Sequence, residues 1–308
     1  MISNVYRSQV DLLLQVLPHV AKETTFALKG GTAINLFCRE MPRLSVDLDL
    51  VYLPLDERES ALKQIQQSLG NIRDRIKNSI RGISVTASPQ VAGHEVKLNC
   101  QLRNVHVKIE VNATTRGHIF PTRLMQVTDT VQESFGKFAA INVVSSGELY
   151  GGKICAALDR QHPRDLFDVR LLLDDKDFNE DIRIGFLYFL LSHARPISEV
   201  MFPNYLDQRS AFDTQFAGMV DVPFSYDDYE EVRIKLVQQV DAMLTPDDRK
   251  FLMSFKAGDP NWSLFPIGSL EAFPSIKWKL ANIRKLVATN PKKHEVQLSE
   301  LGKKLGLI

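Results

Sequence analysis

The sequence predicts an α+β protein whose first part carries a mixed β-sheet and whose second part is mostly helical. Three runs, at 82–88, 94–102 and 105–112, alternate apolar and polar residues with the two-residue period of a half-buried strand. In the later part of the chain, helical spacing replaces this period. We therefore predict two domains, 1–144 and 145–308.

Composition points to a globular protein and excludes several classes. The 308 residues are 44% apolar and 24% charged, with a net charge of +1, so the overall charge favours no particular partner. Cys38, Cys100 and Cys155 form no CxxC pair, which argues against a disulfide framework or a cysteine zinc site and favours a cytoplasmic location. No segment holds 18 uncharged apolar residues, so we expect neither a signal peptide nor a membrane span.

The N-terminal elements lead to a glycine-rich turn. Residues 4–17 have the spacing of an amphipathic helix, and 24–28 is β-branched and aromatic, as in a short strand. The Gly30-Gly31-Thr32 sequence permits a tight turn into a helix that reaches about Glu40. The free amide groups at such a helix start favour an anion such as a triphosphate.

The next strand, 44–52, carries two carboxylates on one face. Its apolar residues point to one side and its polar residues to the other, so Asp47 and Asp49, at i and i+2, share a face. Adjacent carboxylates raise each other's pKa unless a cation lies between them, and Mg²⁺ prefers oxygen ligands. The pair alone is weak evidence, since many such aspartates are solvated charges of an edge strand.

A third acid joins this pair if two predicted strands are neighbours. The break at Arg103-Asn104 predicts an antiparallel hairpin between 94–102 and 105–112, and Glu110 lies on the polar face of its second strand. If 105–112 also pairs with 44–52, three carboxylates converge. Such a triad suits two magnesium ions, an in-line displacement at phosphorus and removal of a proton from the attacking hydroxyl.

The later part of the chain reads as helices. Ser145-x-x-Glu148 predicts a capped helix over 146–160, and Pro163 can open the next helix. The apolar residues of 180–194 predict a buried helix, and the prolines of 195–224 predict an irregular segment. Residues 249–308 hold eleven Lys or Arg and four Asp or Glu, a net +7, which is a possible footprint for nucleic acid, although an acidic protein partner or solvent could equally face it.

Two stretches resemble the AbiEii/MenT-type nucleotidyltransferases, a branch of the DNA polymerase β-like superfamily. The first is KGGTAINLFCREMPRLSVDLDL and the second is SGELYGGKICAALDRQHPRDLFDVRLLL, residues 146–173. The resemblance covers about residues 20–175. It implies a polymerase-β-like nucleotidyltransferase lobe with a mixed β-sheet, followed by a mostly helical lobe that closes the cleft.

The resemblance also implies a set of site residues. Gly30, Gly31 and Thr32 would form the phosphate-binding turn, and Ser45 would bond a nucleotide phosphate. Thr32 departs mildly from the Gly-Ser that many superfamily members have. The implied metal ligands are Asp47, Asp49 and Glu110. Lys153 would be the cation near the triphosphate, with Asp165 and Asp168 in the same network.

Each of these residues also has a plainer interpretation. The glycines can form an ordinary tight turn, and Ser45 and Lys153 can be exposed surface residues. Asp165 and Asp168, at i and i+3 on one helix face, can orient Lys153 without touching substrate. Glu110 can be a sheet-surface charge opposite Lys97. We prefer the functional interpretation, because the alternative requires every one of these plain interpretations to be true at the same time.

The function that the resemblance implies is nucleotidyl transfer by a toxin. The enzyme would use Mg²⁺, with two ions as the expected number, to transfer a nucleoside monophosphate from a nucleoside triphosphate to RNA and release pyrophosphate. The tRNA 3′ end is the best single candidate for the acceptor. The context would be a bacterial toxin–antitoxin or phage-defence system with a separately encoded antitoxin. The alternatives are an enzyme acting on a small molecule or a protein hydroxyl, and an inactive nucleotide-binding module. The sequence leaves the preferred triphosphate open.

Overall fold

The computed structural model of the protein describes residues 4–91 and 94–308. The chain forms two compact units. One comprises Met1–Ser145 with Phe216–Pro223, and the other comprises Ser146–Gln215 with Phe224–Ile308. The first contains a mixed sheet and the second is helical, which confirms the predicted α+β class. In the described part of the chain, no helix combines the length and the apolar character needed to cross a membrane.

The first unit is built around a seven-stranded sheet of order β3-β4-β5-β2-β1-β7-β6. Strands β2 and β5 run parallel, as do β1 and β7, whereas the β4–β5 hairpin is antiparallel as predicted. The elements in chain order are α1 (Asn4–Val20), β1 (Phe26–Lys29), α2 (Gly30–Ala33), β2 (Asp47–Tyr52), α3 (Arg58–Ser79), β3 (Ser84–Val91), β4 (His94–Leu102), β5 (Val105–Asn112), β6 (Arg123–Gln126), α4 (Asp129–Phe135) and β7 (Ala140–Val143).

One face of this sheet is covered and the other carries the charged residues. Helices α1 and α3 pack against β5 and β4, and the apolar residues of β2 and β5 that alternate with the acids, such as Leu48, Leu50 and Ile109, are fully buried. Burial of each such side chain stabilises the fold by about 1.5–3 kcal/mol. Because strand side chains alternate, the same burial forces Asp47, Asp49 and Glu110 onto the opposite face.

Strand β2 begins three residues later than the sequence predicts. The preceding backbone pairs outside the sheet: Arg43 forms an isolated bridge with Val220, and the Leu44 amide donates to the carbonyl of Met219. This pairing partner belongs to the Phe216–Pro223 segment, which clusters with the first unit. A partner so distant in sequence leaves no local signal in the 44–52 pattern.

The second unit consists of helices. They are α5 (Ser146–Arg160), α6 (Pro163–Asp175), α7 (Glu180–Ser192), α8 (Ile197–Met201), α9 (Arg209–Ala211), α10 (Tyr226–Met243), α11 (Pro246–Ala257), α12 (Pro274–Thr289) and α13 (Pro291–Lys304). Helices α5 and α7 cross at glycines, where a Cβ on Gly151 would lie 2.3 Å from the backbone of Gly185. Pro163 opens α6 as predicted, with His162 as its N-cap.

Candidate functional site

A row of four charged residues crosses the centre of the sheet. Asp49 on β2 pairs with Lys29 on β1 and with Glu110 on β5, and Glu110 pairs in turn with Lys97 on β4. Residues at paired positions of neighbouring strands point to the same face. Two carboxylates therefore lie side by side with a lysine position on each outer side, and Asp47 lies two residues along β2 on the same face.

The side chains of this row are accessible enough to meet a ligand. The two carboxylates of the row, Asp49 and Glu110, and the neighbouring Asp47 are each half-buried, so part of each side chain is open to solvent. The Glu110 carboxylate contacts the Lys97 ammonium, with 3.1 Å between Oε2 and Nζ. The plain interpretation of Glu110, a sheet charge opposite Lys97, therefore describes an actual contact, which engages one of the two carboxylate oxygens.

The residues suit magnesium by chemistry and by strand register. All three donors are carboxylate oxygens, which Mg²⁺ prefers, and the register makes Asp49 and Glu110 direct neighbours. Within residues 4–91 and 94–308, however, no three His, Cys, Asp or Glu side chains are gathered closely enough to hold a metal ion.

The glycine turn begins directly against the acid pair. Gly30 follows β1 with a φ of 75°, a left-handed conformation that favours glycine, and a Cβ there would lie 2.8 Å from Oδ2 of Asp49. A Cβ on Gly31 would lie 2.5 Å from the Arg43 guanidinium and 3.1 Å from the Ser45 hydroxyl. Gly30 is therefore favoured by its backbone conformation, and a side chain at either position would have to displace Asp49, Arg43 or Ser45.

Thr32 and Ser45 join the turn to the acid-bearing strand. The Thr32 hydroxyl lies 3.0 Å from that of Ser45 and 2.5 Å from the backbone carbonyl of Asp47. Both side chains are buried, so their hydroxyls hold the turn beside β2. The predicted contact of Ser45 with a phosphate would have to compete with this internal bond.

Arg43 is a residue that the sequence analysis did not single out. Its side chain is buried against Gly31, and Nη1 donates to the carbonyl of Leu44 at 2.9 Å. A guanidinium beside this glycine turn offers planar donors of the kind that bind anionic oxygens. Arg43 lies within the first family-like stretch, but no spacing there links it to the glycine turn, so only the fold reveals its position.

Lys153 lies in the second unit with two buried acids. Its ammonium is 2.8 Å from Oδ1 of Asp165 and 3.0 Å from Oδ2 of Asp168, and all three side chains are buried. Arg160 donates to the other oxygen of Asp165 at 2.6 Å. Burial alone would raise the pKa of Asp165, but the Lys153 and Arg160 charges outweigh burial and hold that pKa well below its usual range.

This arrangement brings Asp165 and Asp168 together on Lys153, which is the plainer interpretation given above, in which the aspartates orient the lysine. The acids come from the first turns of α6 and the lysine from α5, and Arg160, which was not predicted, completes the charge balance. Lys153, Asp165 and Asp168 are buried, and the Arg160 side chain, which is 62% exposed, reaches Asp165 from the surface and balances the second negative charge. The two acids hold the Lys153 ammonium at a fixed position.

Comparisons with known proteins place these features in a family. Residues 11–282 match the family model described as nucleotidyl transferase AbiEii toxin, type IV TA system. The structure of MenT4, a nucleotidyltransferase toxin from Mycobacterium tuberculosis H37Rv, is similar with a TM-score of 0.61 and 14% identity, covering 90% of this chain and 93% of that chain. At this identity the likeness shows a shared fold.

A second solved structure has a weaker likeness. JHP933 from Helicobacter pylori matches with a TM-score of 0.44 and 17% identity, covering 78% of this chain and 93% of that chain. The search of curated protein sequences gave no significant match.

Proposed function

The chain belongs to the AbiEii family of nucleotidyltransferase toxins of type IV toxin–antitoxin systems, and from this premise we propose that it transfers a nucleoside monophosphate from a nucleoside triphosphate to the 3′ end of tRNA. The single observation that carries the assignment of the site is the pairing of Asp49 with Glu110 beside the Gly30-Gly31 turn. Acid pair and anion-binding turn are the two halves of a site for a metal-bound triphosphate.

We assign Asp47, Asp49 and Glu110 as the residues that would hold magnesium. Bound there, Mg²⁺ would supply positive charge that neutralises the phosphate oxygens and favours an in-line displacement. The donor set supports this assignment, since three carboxylates share one face of β2 and β5. Lys29 and Lys97, at the two ends of the row, limit the repulsion between the acids when no cation is bound.

The chain's own residues then bind and orient the reactants. The Gly30–Thr32 turn and the Arg43 guanidinium bind the triphosphate, whose oxygens accept hydrogen bonds from the turn amides. The acceptor hydroxyl oxygen forms a bond to the α-phosphorus while the bond from the α-phosphorus to the bridging oxygen breaks, and pyrophosphate leaves. Glu110 takes the hydroxyl proton.

The residues of the second motif support the nucleotide. We assign Lys153 to the triphosphate, as the family resemblance implies, and Asp165 and Asp168 to holding its ammonium in place. The contacts of 2.8 Å and 3.0 Å support this division of roles, because they restrict the lysine to one position. A compact ammonium is suited to a point contact with phosphate oxygens.

RNA as the acceptor and a separate antitoxin are the finer parts of the proposal. The net +7 charge of residues 249–308 favours an acidic polymer such as RNA over a small acceptor. A type IV toxin implies a cognate antitoxin, which we propose is a separate polypeptide. A role of the system in phage defence is the alternative that we propose for its biological context.

Transfer of labelled nucleotide tests the proposal. The protein is incubated with total RNA, Mg²⁺ and each of the four α-labelled triphosphates in turn, and the products are separated by size and by nuclease and protease treatment. Label on tRNA supports the proposal and identifies the preferred triphosphate. Label on protein or on a small molecule, or binding without transfer, contradicts the RNA acceptor, and transfer that persists in EDTA contradicts the magnesium requirement.

A matched pair of variants tests the acid pair. Asp47→Ala should lower transfer by at least about 100-fold, because a charge-stabilising group is lost from the site. Asp74→Ala removes an exposed carboxylate on α3 of the same unit and should transfer as the wild type does. Equal activity of the two variants, with both folded, would refute the metal assignment.

A further inference from the structure

Three lysines converge on a cavity within the second unit. The cavity has a volume of about 160 Å³ and lies between the end of α7 and helices α8, α11, α12 and α13. Lys256 comes from α11, Lys279 from α12 and Lys293 from α13. The remaining lining residues include the apolar Ile197, Ile283 and Leu286.

Two of these lysines are buried with neutral partners alone. Lys256 and Lys279 are each 5% exposed. The Lys279 ammonium donates to the carbonyls of His193, at 2.6 Å, and Arg195, while that of Lys256 donates to the side-chain oxygen of Gln297 at 2.6 Å. Among the described residues, neither ammonium has a carboxylate within ion-pair distance.

The Glu199 charge acts on both buried lysines, but Glu199 and the neighbouring Asp159 are already engaged by other cations. Glu199 pairs with Arg195 at 3.3 Å, and Asp159 pairs with Arg195 at 2.7 Å and lies 3.3 Å from His193. Burying a cation without an opposite charge is costly. Burial, with the Lys256 charge, accordingly lowers the pKa of Lys279 to about 8, and burial also lowers the pKa of Lys256.

We propose that this cavity binds a phosphate group, which supplies the missing negative charge. Phosphate oxygens accept hydrogen bonds from several ammonium groups at once, and the apolar walls strengthen each attraction by excluding water. The cavity has room for such a group together with a few waters. Lys293, which is exposed at the opening, would be the first contact, and the two buried lysines would hold the oxygens inside.

The phosphate can belong to an RNA backbone or to a free nucleotide, and the charge around the cavity favours RNA. Most of the lining residues, including all three lysines, belong to the segment of net +7 charge. This segment continues beyond the cavity along α12 and α13 with Lys285, Lys292 and Lys303. A free nucleotide would contact only the cavity, and the lysines beyond the cavity would then have no role in binding it. This proposal is about phosphate binding in the cavity, and it does not depend on the transfer reaction proposed above.

Neighbouring lysines of α13 provide the test. Lys293 lines the cavity and Lys292 does not, although both are exposed and lie on the same helix turn. Binding of a fluorescent single-stranded RNA to the full chain is measured in EDTA over a range of salt concentrations. We expect Lys293→Gln to weaken binding at least about tenfold and to reduce the slope of log affinity against log salt by about 0.7, and Lys292→Gln to change both much less.

Competition identifies the source of the phosphate. Pyrophosphate and ATP are added to the RNA complex, and the thermal shift that each produces is measured for the wild type and for Lys293→Gln. Displacement of RNA together with a shift that needs Lys293 supports a phosphate site that serves RNA. A Lys293-dependent shift without any effect on RNA supports a site for a free nucleotide.

Two results would overturn the proposal. One is equal behaviour of the Lys293 and Lys292 variants with every probe. The other is a Lys279→Met variant that remains folded by circular dichroism and binds RNA and pyrophosphate as the wild type does. Asp47→Ala separates this site from the transfer reaction, because it should lose transfer and keep Lys293-dependent binding.

Discussion

Asp49 and Glu110 are direct neighbours on the parallel strands β2 and β5. Adjacent strands lie about 4.8 Å apart, and like charges at paired positions destabilise a sheet. Here the row is completed by Lys29 on one side and Lys97 on the other. The fold thus tolerates an acid pair where a divalent cation could bind, and the lysines offset the repulsion before the cation arrives.

In the proposed site, Lys97 would compete with Mg²⁺ for the Glu110 carboxylate. Its removal frees the carboxylate and removes a positive charge close to the site, so Lys97→Gln should lower the Mg²⁺ concentration for half-maximal transfer by about threefold to tenfold. The measurement is a magnesium titration of initial transfer rates. Lys63→Gln, an exposed lysine of α3 paired with Glu59, is the control. A higher magnesium requirement in Lys97→Gln would mean that Lys97 supports the site.

Gly30 carries both a backbone and a contact requirement. Gly30→Ala should cost about 1–2 kcal/mol of stability for its φ of 75° and should also displace the Asp49 carboxylate, which lowers transfer. Gly136 has a φ of 59° with no heavy atom within 4 Å of its added Cβ, so Gly136→Ala should show the loss of stability alone. Denaturant unfolding and transfer rates are measured on both variants. Full activity in Gly30→Ala would exclude a tight contact between the turn and Asp49.

Arg43 should act on nucleotide binding. Arg43→Met is expected to raise the KM for the triphosphate about tenfold or more, since a charge-assisted contact with the phosphates is lost. Arg43→Lys, which keeps the charge, should recover part of the affinity. Arg81→Met removes an exposed arginine of the same unit and serves as the control. A change confined to thermal stability, with KM unaltered, would reduce Arg43 to a structural residue.

Asp165 should make the stability of the protein depend on acid pH. Its pKa is lower in the folded state than the ordinary value of 3.8, so the carboxylate stabilises the fold above pH 3.8, and this contribution is lost as pH falls through the folded pKa. Asp165→Asn should therefore cost about 2 kcal/mol at pH 7, and the difference from the wild type should shrink below about pH 4.

Denaturant unfolding at a series of pH values measures this difference. Asp174→Asn, on the same helix and in an exposed pair with Arg170, should change stability little at any pH. A difference between Asp165→Asn and the wild type that stays constant from pH 7 to pH 3 would contradict the buried ion cluster.

Local patterns were enough to predict most elements around the site. The two-residue alternation gave β4 and β5 with their antiparallel pairing, and the Pro163 signal gave the start of α6. The start of β2 was predicted too early because the 43–44 backbone pairs with 219–220. Helix α10 was not predicted at all, although Ser225 and Asp228 form its capping box.

The sequence by itself determined which residues face together and which chemistry they can offer. Strand period placed Asp47 and Asp49 on one face, helix period placed Asp165 and Asp168 on another, and the motifs indicated nucleotidyl transfer. The shared faces depend only on residues that are close together along one helix or strand, so they can be predicted without knowledge of the fold.

Tertiary structure alone decided which elements became neighbours. Pairing of β2 with β5 brought Glu110 beside Asp49, pairing with β4 gave Glu110 a competing lysine, and the 216–223 segment fixed the backbone that buries Arg43 under the glycine turn. The lysine-lined cavity likewise depends on three helices meeting. Such contacts join residues far apart in the chain, and their free energy comes from burial and pairing that no local pattern contains.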